Sequence, residues 1–160
     1  MGWEGLLVGI WLAARAGEAL IACEEALLDE HGIIGDRYHA GQGTFSSGEP
    51  AGRAVTLIEH ETLEALANEA GILLPAGAYR RNLVTIEVPL NHLVGRTFQV
   101  GEVVLEGVRL AEPCSYLEWC TRPGVRRALL HRGGLRANVL RGGKVRLGDL
   151  VRAGGGRAAQ

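Results

Sequence analysis

Late in this chain the hydrophobic period switches: Val103, Leu105, Val108 and Leu110 recur at strand intervals, and Leu117, Val125, Leu129 and Leu130 at helical ones. Between them lies Ala111-Glu112-Pro113-Cys114-Ser115-Tyr116-Leu117-Glu118, with a cysteine directly after a proline. Cys114 is therefore predicted at a strand-to-helix junction. Backbone N–H groups at a helix start lack partners and favour an anion, and a thiolate is one. An unperturbed thiol is about 3% thiolate at pH 7, and a shift of roughly two units makes it mostly thiolate. Position alone leaves two readings open, a reactive thiol and a buried, inert one.

The rest of the chain is cut into short pieces. Its 24 glycines and 5 prolines in 160 residues predict many tight turns and short elements rather than long helices, so the expected class is α+β and mainly β. The length suits one domain, predicted over 1–152, with a flexible Gly- and Ala-rich tail over 153–160. Leu6 to Ala14 is an apolar run followed by Ala14-Arg15-Ala16, but Glu4 and no Lys or Arg precede it, so a first core strand over Gly5 to Leu12 is preferred to a leader. No run reaches the length of a membrane span. A net charge of -1 and an aromatic share of 5% give no footprint for nucleic acid and few platforms for stacking bases. Cys23, Cys114 and Cys120 form an odd set without C-x-x-C spacing, which encodes neither a disulfide framework nor a zinc knuckle and points to a reducing, cytoplasmic setting.

Along the chain, Glu18 to His31 is rich in Ala, Leu and Glu, and local propensity reads it as a helix. Gly35-Asp36-Arg37-Tyr38-His39 opens a long glycine-rich loop through Pro50. Loops this long in compact domains are usually functional or mobile, and this one has Asp36, Arg37 and His39 at its base. Val55 to Ile58 reads as a strand feeding a helix over Glu59 to Ala70, capped by Gly71, with Glu59 complementing the helix dipole. Arg80-Arg81-Asn82 precedes a strand over Leu83 to Glu87, and Pro89 to Val94 reads as a helical turn. Phe98 to Val100 and Val103 to Leu110 pair around Gly101. Gly124 to His131 reads as a further helix, and Leu135 to Leu140, Lys144 to Leu147 and Leu150-Val151 as closing strands.

Several chemistries lack their motifs. The glycines at 41, 43 and 48 are not followed by Gly-Lys-Ser/Thr, no Gly-x-Ser-x-Gly elbow occurs, and the five histidines form neither H-x-x-x-H nor H-E-x-x-H. What remains is Cys114 with two arginine-rich patches, Arg80 with Arg81 and Arg122 through Arg132. Arginine forks bind phosphate or carboxylate, so a pocket uniting them with Cys114 suits an anionic ligand with a sulfur-reactive or metal centre. Surface solubility explains either patch taken singly.

Four pieces in order give the chain a family likeness: Gly-Ile-Ile-Gly-Asp-Arg at 32–37, Val-Thr-Leu-Ile-Glu at 55–59, Arg-Arg-Asn-Leu-Val at 80–84 and Glu-Pro-Cys-Ser-Tyr-Leu at 112–117. Arg-Gly-Gly-Leu-Arg-Ala at 132–137 and Gly-Gly-Lys-Val-Arg-Leu-Gly-Asp at 142–149 complete the pattern. Together they resemble the MOSC domain of molybdenum cofactor sulfurases and of stand-alone bacterial proteins. The resemblance implies a β-barrel-like domain with a few short helices, and an extended Glu18 to Asp29 against local propensity. It implies that Cys114 ligates molybdenum or carries sulfur as a persulfide, and that Arg80 and Asn82 hold the pterin of the molybdenum cofactor (molybdopterin), bound lastingly or transiently. The set implied for this anionic cofactor is Arg80, Arg81, Asn82, Asp36, Arg37, His39, Glu59 and Arg132. A sulfurtransferase-like or oxidoreductase role needs a sulfur donor or reductase protein; the alternative is a non-catalytic carrier of the cofactor or another anionic metabolite. Pyridoxal phosphate also accompanies the family. Two departures are visible: Tyr38 intervenes before His39 where the family often has His, and neither the sulfurase's aminotransferase-like domain nor the partner β-barrel domain lies in these 160 residues.

Overall fold

The computed structural model describes residues 2–39 and 54–154. Its first apolar run forms β1 (Glu4–Leu12), followed by the short β2 (Ile21–Ala22), β3 (Glu25–Asp29) and β4 (Gly32–Ile33). Then come β5 (Val55–Glu59), α1 (His60–Ala70), β6 (Leu83–Ile86), a 3₁₀ turn (Leu90–Leu93), β7 (Thr97–Val100) and β8 (Val103–Leu110). The chain continues with α2 (Ser115–Cys120), α3 (Val125–Ala128), β9 (Leu135–Arg141), β10 (Gly143–Arg146) and β11 (Leu150–Ala153).

Seven strands close into a barrel in the order β11-β7-β8-β9-β5-β6-β1, sealed where Glu4, Gly5 and Leu6 of β1 pair with Arg152, Val151 and Leu150 of β11. Closure leaves these strands without an open sheet edge. Of the barrel pairings only β5–β6 is parallel; a parallel pair needs a crossover, and α1 provides it. Alternation along the strands sends Leu7, Leu57, Leu83, Phe98, Leu105 and Leu135 into one interior cluster, each fully buried. Each such side chain contributes roughly 1.5–3 kcal/mol on leaving water. The intervening residues face outward, where Ile58 and Val84 pack with Tyr79, Leu63 and Trp11. A third cluster of Leu66, Ile72, Leu117, Val125 and Leu129 joins α1 to α2 and α3, with Cys114 packed against it.

Two local readings need correction. Glu18 to His31 is not helical as its local propensity reads, and Ile21–Ala22 and Glu25–Asp29 are strands, as the family resemblance implied for Glu18 to Asp29: β3 pairs Glu25 to Leu28 with Arg146 to Gly143 of β10, and sheet pairing overrides propensity. The helix read over Gly124 to His131 shrinks to Val125–Ala128, because His131 turns to positive φ (65°) and its N–H is taken by Glu112 Oε1 at 2.7 Å. β10 joins β3 and β4 in a separate three-stranded sheet. Glu59 stands at the N-terminal boundary of α1, where the dipole reading placed it, without a side-chain cap hydrogen bond. Most of the predicted functional loop, 40–53, lies outside the described residues, as do 155–160 of the predicted tail.

Candidate functional site

The site starts from a kink. Arg80 has positive φ (58°), an uncommon conformation for a residue with a Cβ, and it separates two arginines with opposite fates. Arg80 points out and donates from Nη1 to Glu18 O at 2.9 Å. Arg81 turns in and is 6% exposed. Its Nε donates to Gly133 O at 2.8 Å and its Nη2 to Ala111 O at 2.9 Å. The approach depends on glycine: a Cβ on Gly133 would run into the Ala111 carbonyl, and one on Gly134, at φ 114°, into that of Leu57.

Arg81 thus ties the start of the Ala111–Cys114 segment to the loop before β9. Among the described residues it has no carboxylate partner, and its Nη1 is unengaged. Burial pulls its pKa down to about 10, repulsion from Arg136 and Arg37 adds to the fall, and Tyr38 and Cys114 oppose it. It remains a cation at neutral pH, within electrostatic reach of Cys114. Cys114 itself is half-buried, in extended conformation (φ −132°, ψ 174°) at the N-terminal boundary of α2. On the other side of Pro113, Glu112 Oε2 lies 2.8 Å from His131 Nδ1, so the start of the segment is pinned twice and its Cys114 end is left open.

A second buried network backs the first. Asp36 Oδ1 accepts from Ala13 N at 3.1 Å, Arg37 Nη1 at 3.1 Å and Asn82 Nδ2 at 3.4 Å, and its Oδ2 accepts from Tyr38 N at 3.2 Å. The Arg37–Asp36 ion pair is almost fully withdrawn from solvent, and the Arg37 guanidinium lies over the Tyr38 ring, 4.5 Å from its centroid. Asn82 is 0% exposed. Its Oδ1 accepts from Thr56 N at 3.1 Å and Thr56 Oγ1 at 3.2 Å, and its Nδ2 also donates to Trp11 O at 3.0 Å. An amide has two donors and two acceptor lone pairs, so Asn82 is saturated and works as a brace under Asp36.

Thr56 of β5 is in register with Arg136 of β9, and Arg136 with Arg109 of β8. Asn82, Thr56, Arg136 and Arg109 therefore form a polar lane across the barrel's outer face. Sequence reasoning missed Thr56, Arg109, Arg136 and Tyr38 as members of this region. The signal was alternation: Leu135, Ala137 and Val139 face the core, which turns Arg136 outward.

The structure thus gathers Cys114, Arg81, Asp36, Arg37 and Asn82, and sets four other candidates apart. Arg80 goes to Glu18 O. His39 Nε2 lies 2.9 Å from Asp29 Oδ2, and that hydrogen bond, with another from His31 N, holds the Asp29 carboxyl below its usual range. Glu59 Oε2 accepts from Leu90 N at 3.0 Å, and burial pushes its carboxyl up. Arg132 bonds Ala128 O at 2.9 Å and Glu69 at 3.1 Å. Glu59 and Arg132 instead share a polar cavity of about 320 Å³ with Thr62, Asn91 and His92.

Comparison with known proteins agrees with this architecture. Solved structures with the same fold include the YuaD protein of Bacillus subtilis, with a TM-score of 0.77 and 19% identity over 95% of this chain and 96% of that one. YiiM of Geobacillus stearothermophilus gives 0.71 and 17% over 97% and 78%, and YiiM of Escherichia coli 0.64 and 20% over 97% and 70%. Among curated proteins none matches the chain's sequence. The family model for the MOSC domain matches residues 35–152, a span that holds every member of the cluster around Cys114. The chain belongs to the MOSC domain family.

Proposed function

We propose that the chain binds molybdenum cofactor at the Cys114 cluster, with the Cys114 thiolate as molybdenum ligand or sulfur carrier, in sulfur-transfer or reductase-type chemistry. Arg81 carries the reading: a buried cation with, among the described residues, no carboxylate partner and a free Nη1, held beside a half-buried thiol. The donor set fits the group, since a thiolate suits a soft metal and uncompensated guanidinium groups suit the anionic part of a pterin cofactor. Bound there, the cofactor would supply the redox-active metal.

The chain's own residues hold and orient. Cys114 offers its sulfur at the open end of a segment fixed by Arg81 and by the Glu112–His131 pair. Arg81 and Arg136 present positive charge to an anion, while Asp36 and Asn82 fix Arg37 beneath them. As a carrier, the Cys114 thiolate attacks the terminal sulfur of a donor persulfide; the donor's S–S bond breaks, its thiolate leaves, and Cys114 keeps the transferred sulfur. Packing of Cys114 against the apolar cluster that joins α1 to α2 and α3 favours a second reading, a non-catalytic module that holds the cofactor and passes it on.

Pyridoxal phosphate is not part of this proposal, because Lys144, the chain's one lysine, lies on β10 with its Nζ 3.3 Å from Glu25. Three free cysteines suit a cytoplasmic setting, and among the described residues no helix is long and apolar enough to cross a membrane. The test is molybdenum and pterin content after purification under reducing conditions from a cofactor-producing host. Native protein should retain both, and Cys114→Ser should lose most of the metal. Native protein without either refutes the proposal. Incubation with a persulfide donor, followed by intact mass, separates the readings, since only the carrier of sulfur gains one sulfur atom at Cys114.

A further inference from the structure

The face formed by α2 and α3 differs in charge from the rest of the molecule. From Ser115 to Arg132 the chain carries Arg122, Arg126, Arg127 and Arg132 against Glu118 alone, although its overall net charge is -1. Arg122, Arg126 and Arg127 are exposed, and among the described residues none lies in an ion pair. The nearest carboxylate is occupied: Glu118 Oε1 accepts from Gly124 N at 3.2 Å and Arg126 N at 3.0 Å, closing the start of α3. Arg126 Nη1 reaches only the Ser115 hydroxyl, at 2.8 Å.

Apolar groups stand among these charges. Trp119 is 79% exposed and Leu130 53%, and the Trp119 ring stacks on Tyr116 at 6.4 Å and 28°. Stacking gives Trp119 a fixed orientation without burying its outer surface. A cleft of about 630 Å³ lies between the end of α1 and α3, with Ile72, Arg122, Arg127 and Leu130 in its walls. Trp, Tyr and Arg are the residue types that dominate binding energy at protein interfaces, usually as an apolar centre with a charged surround.

The geometry points to the α2–α3 face as the docking surface for an acidic protein, whose carboxylates pair with Arg122, Arg126 and Arg127 around an apolar contact on Trp119 and Leu130. This rests on the function proposed for Cys114: α2 begins at that residue, so a protein seated on the face brings a sulfur or electron donor to it. An acidic protein is favoured over nucleic acid for two reasons. An extended polyanion would also meet the remainder of the chain, which is net negative. The stacked pair offers one outer ring face rather than the series of platforms on which successive bases stack.

The experiment places p-benzoylphenylalanine at Leu130 in the full chain, cross-links in the native host and identifies the attached protein by mass spectrometry. That protein is then purified and titrated against the chain. The expected result is binding that weakens at least about tenfold between low and physiological salt and again by at least about tenfold in R126E/R127E. Reversing the partner's cross-linked carboxylates to lysine should restore it. Salt-insensitive binding, no rescue, or cross-links only to nucleic acid or to a second copy of the chain would each overturn the docking surface. Molybdenum and pterin content of R126E/R127E is measured in parallel. Retained cofactor with lost partner binding locates the effect at the surface, whereas a native protein without cofactor condemns the site reading instead.

Discussion

Replacing Asn82 with alanine asks how much of the cluster's rigidity rests on one amide. In the native chain that amide joins Thr56, Trp11 and Asp36 through four hydrogen bonds of 3.0 to 3.4 Å with no solvent contact. Without it the Thr56 N–H has no acceptor, while Asp36 keeps Ala13 N, Arg37 and Tyr38 N and loses only its longest contact. An unpaired buried N–H costs about 1–3 kcal/mol and each of the three further bonds lost about 1 kcal/mol, which centres the destabilisation at about 5 kcal/mol. That is a large part of the roughly 5–15 kcal/mol that holds a domain folded, and at about 2–4 °C per kcal/mol for this size it lowers Tm by about 10–20 °C. Urea unfolding should show the midpoint falling with m unchanged. Asn82→Asp separates lost bonding from lost shape: it sets a carboxylate against Asp36, so its folded-state pKa is raised. The stability of that variant is then fullest below the unfolded carboxylate pKa and is lost as pH rises through the folded one. A loss under about 1 kcal/mol for Asn82→Ala, flat with pH for Asn82→Asp, would show that the brace is not engaged in solution.

Two further outcomes follow from the same geometry. Gly134→Ala forces a Cβ into the Leu57 carbonyl at a φ of 114°, so the variant should unfold at least about 2–3 kcal/mol more easily; near-native stability in denaturant would show that the loop can move aside. Glu59 has its carboxyl raised by burial, so the folded state favours its protonated form and loses stability as pH rises through the folded pKa. Glu59→Gln keeps an acceptor for Leu90 N and removes that loss, so the gain over native protein should grow from pH 4 to pH 7; an unchanged difference across that range would refute the assignment.

Elements made by neighbours in sequence were legible without the structure. Phe98 to Leu110 reads as a hairpin because both strands and Gly101 lie in one window, and Val55 to Ala70 reads as strand then helix for the same reason. Glu25 to Asp29 could not be read that way. Its partner β10 lies more than a hundred residues further on, and nothing in a local run of Ala, Leu and Glu reports a strand that distant. The arginines show a similar boundary. Arg80 and Arg81 are adjacent and chemically identical, yet one lies against solvent and the other in the interior, and the positive φ that separates them leaves no trace in composition. Cys114 was found by the change of period. The cation beside it was in view as half of a surface patch, and its burial waits on Gly133 and Ala111 arriving from other parts of the chain.

Barrel closure by β1 and β11 also sets the order in which the molecule can be made. Residues 4–6 must wait for residues 150–152, so during synthesis β1 has β6 on one side and an unpaired edge on the other until β11 has left the ribosome. Contacts of such sequence separation make folding slow, and the waiting edge is a template for pairing with other chains. Refolding should therefore end in a slow phase that seals β1 to β11. Dilution or a chaperone protects the chain most before that phase, and amide exchange in β1 and β11 should be the last to become protected.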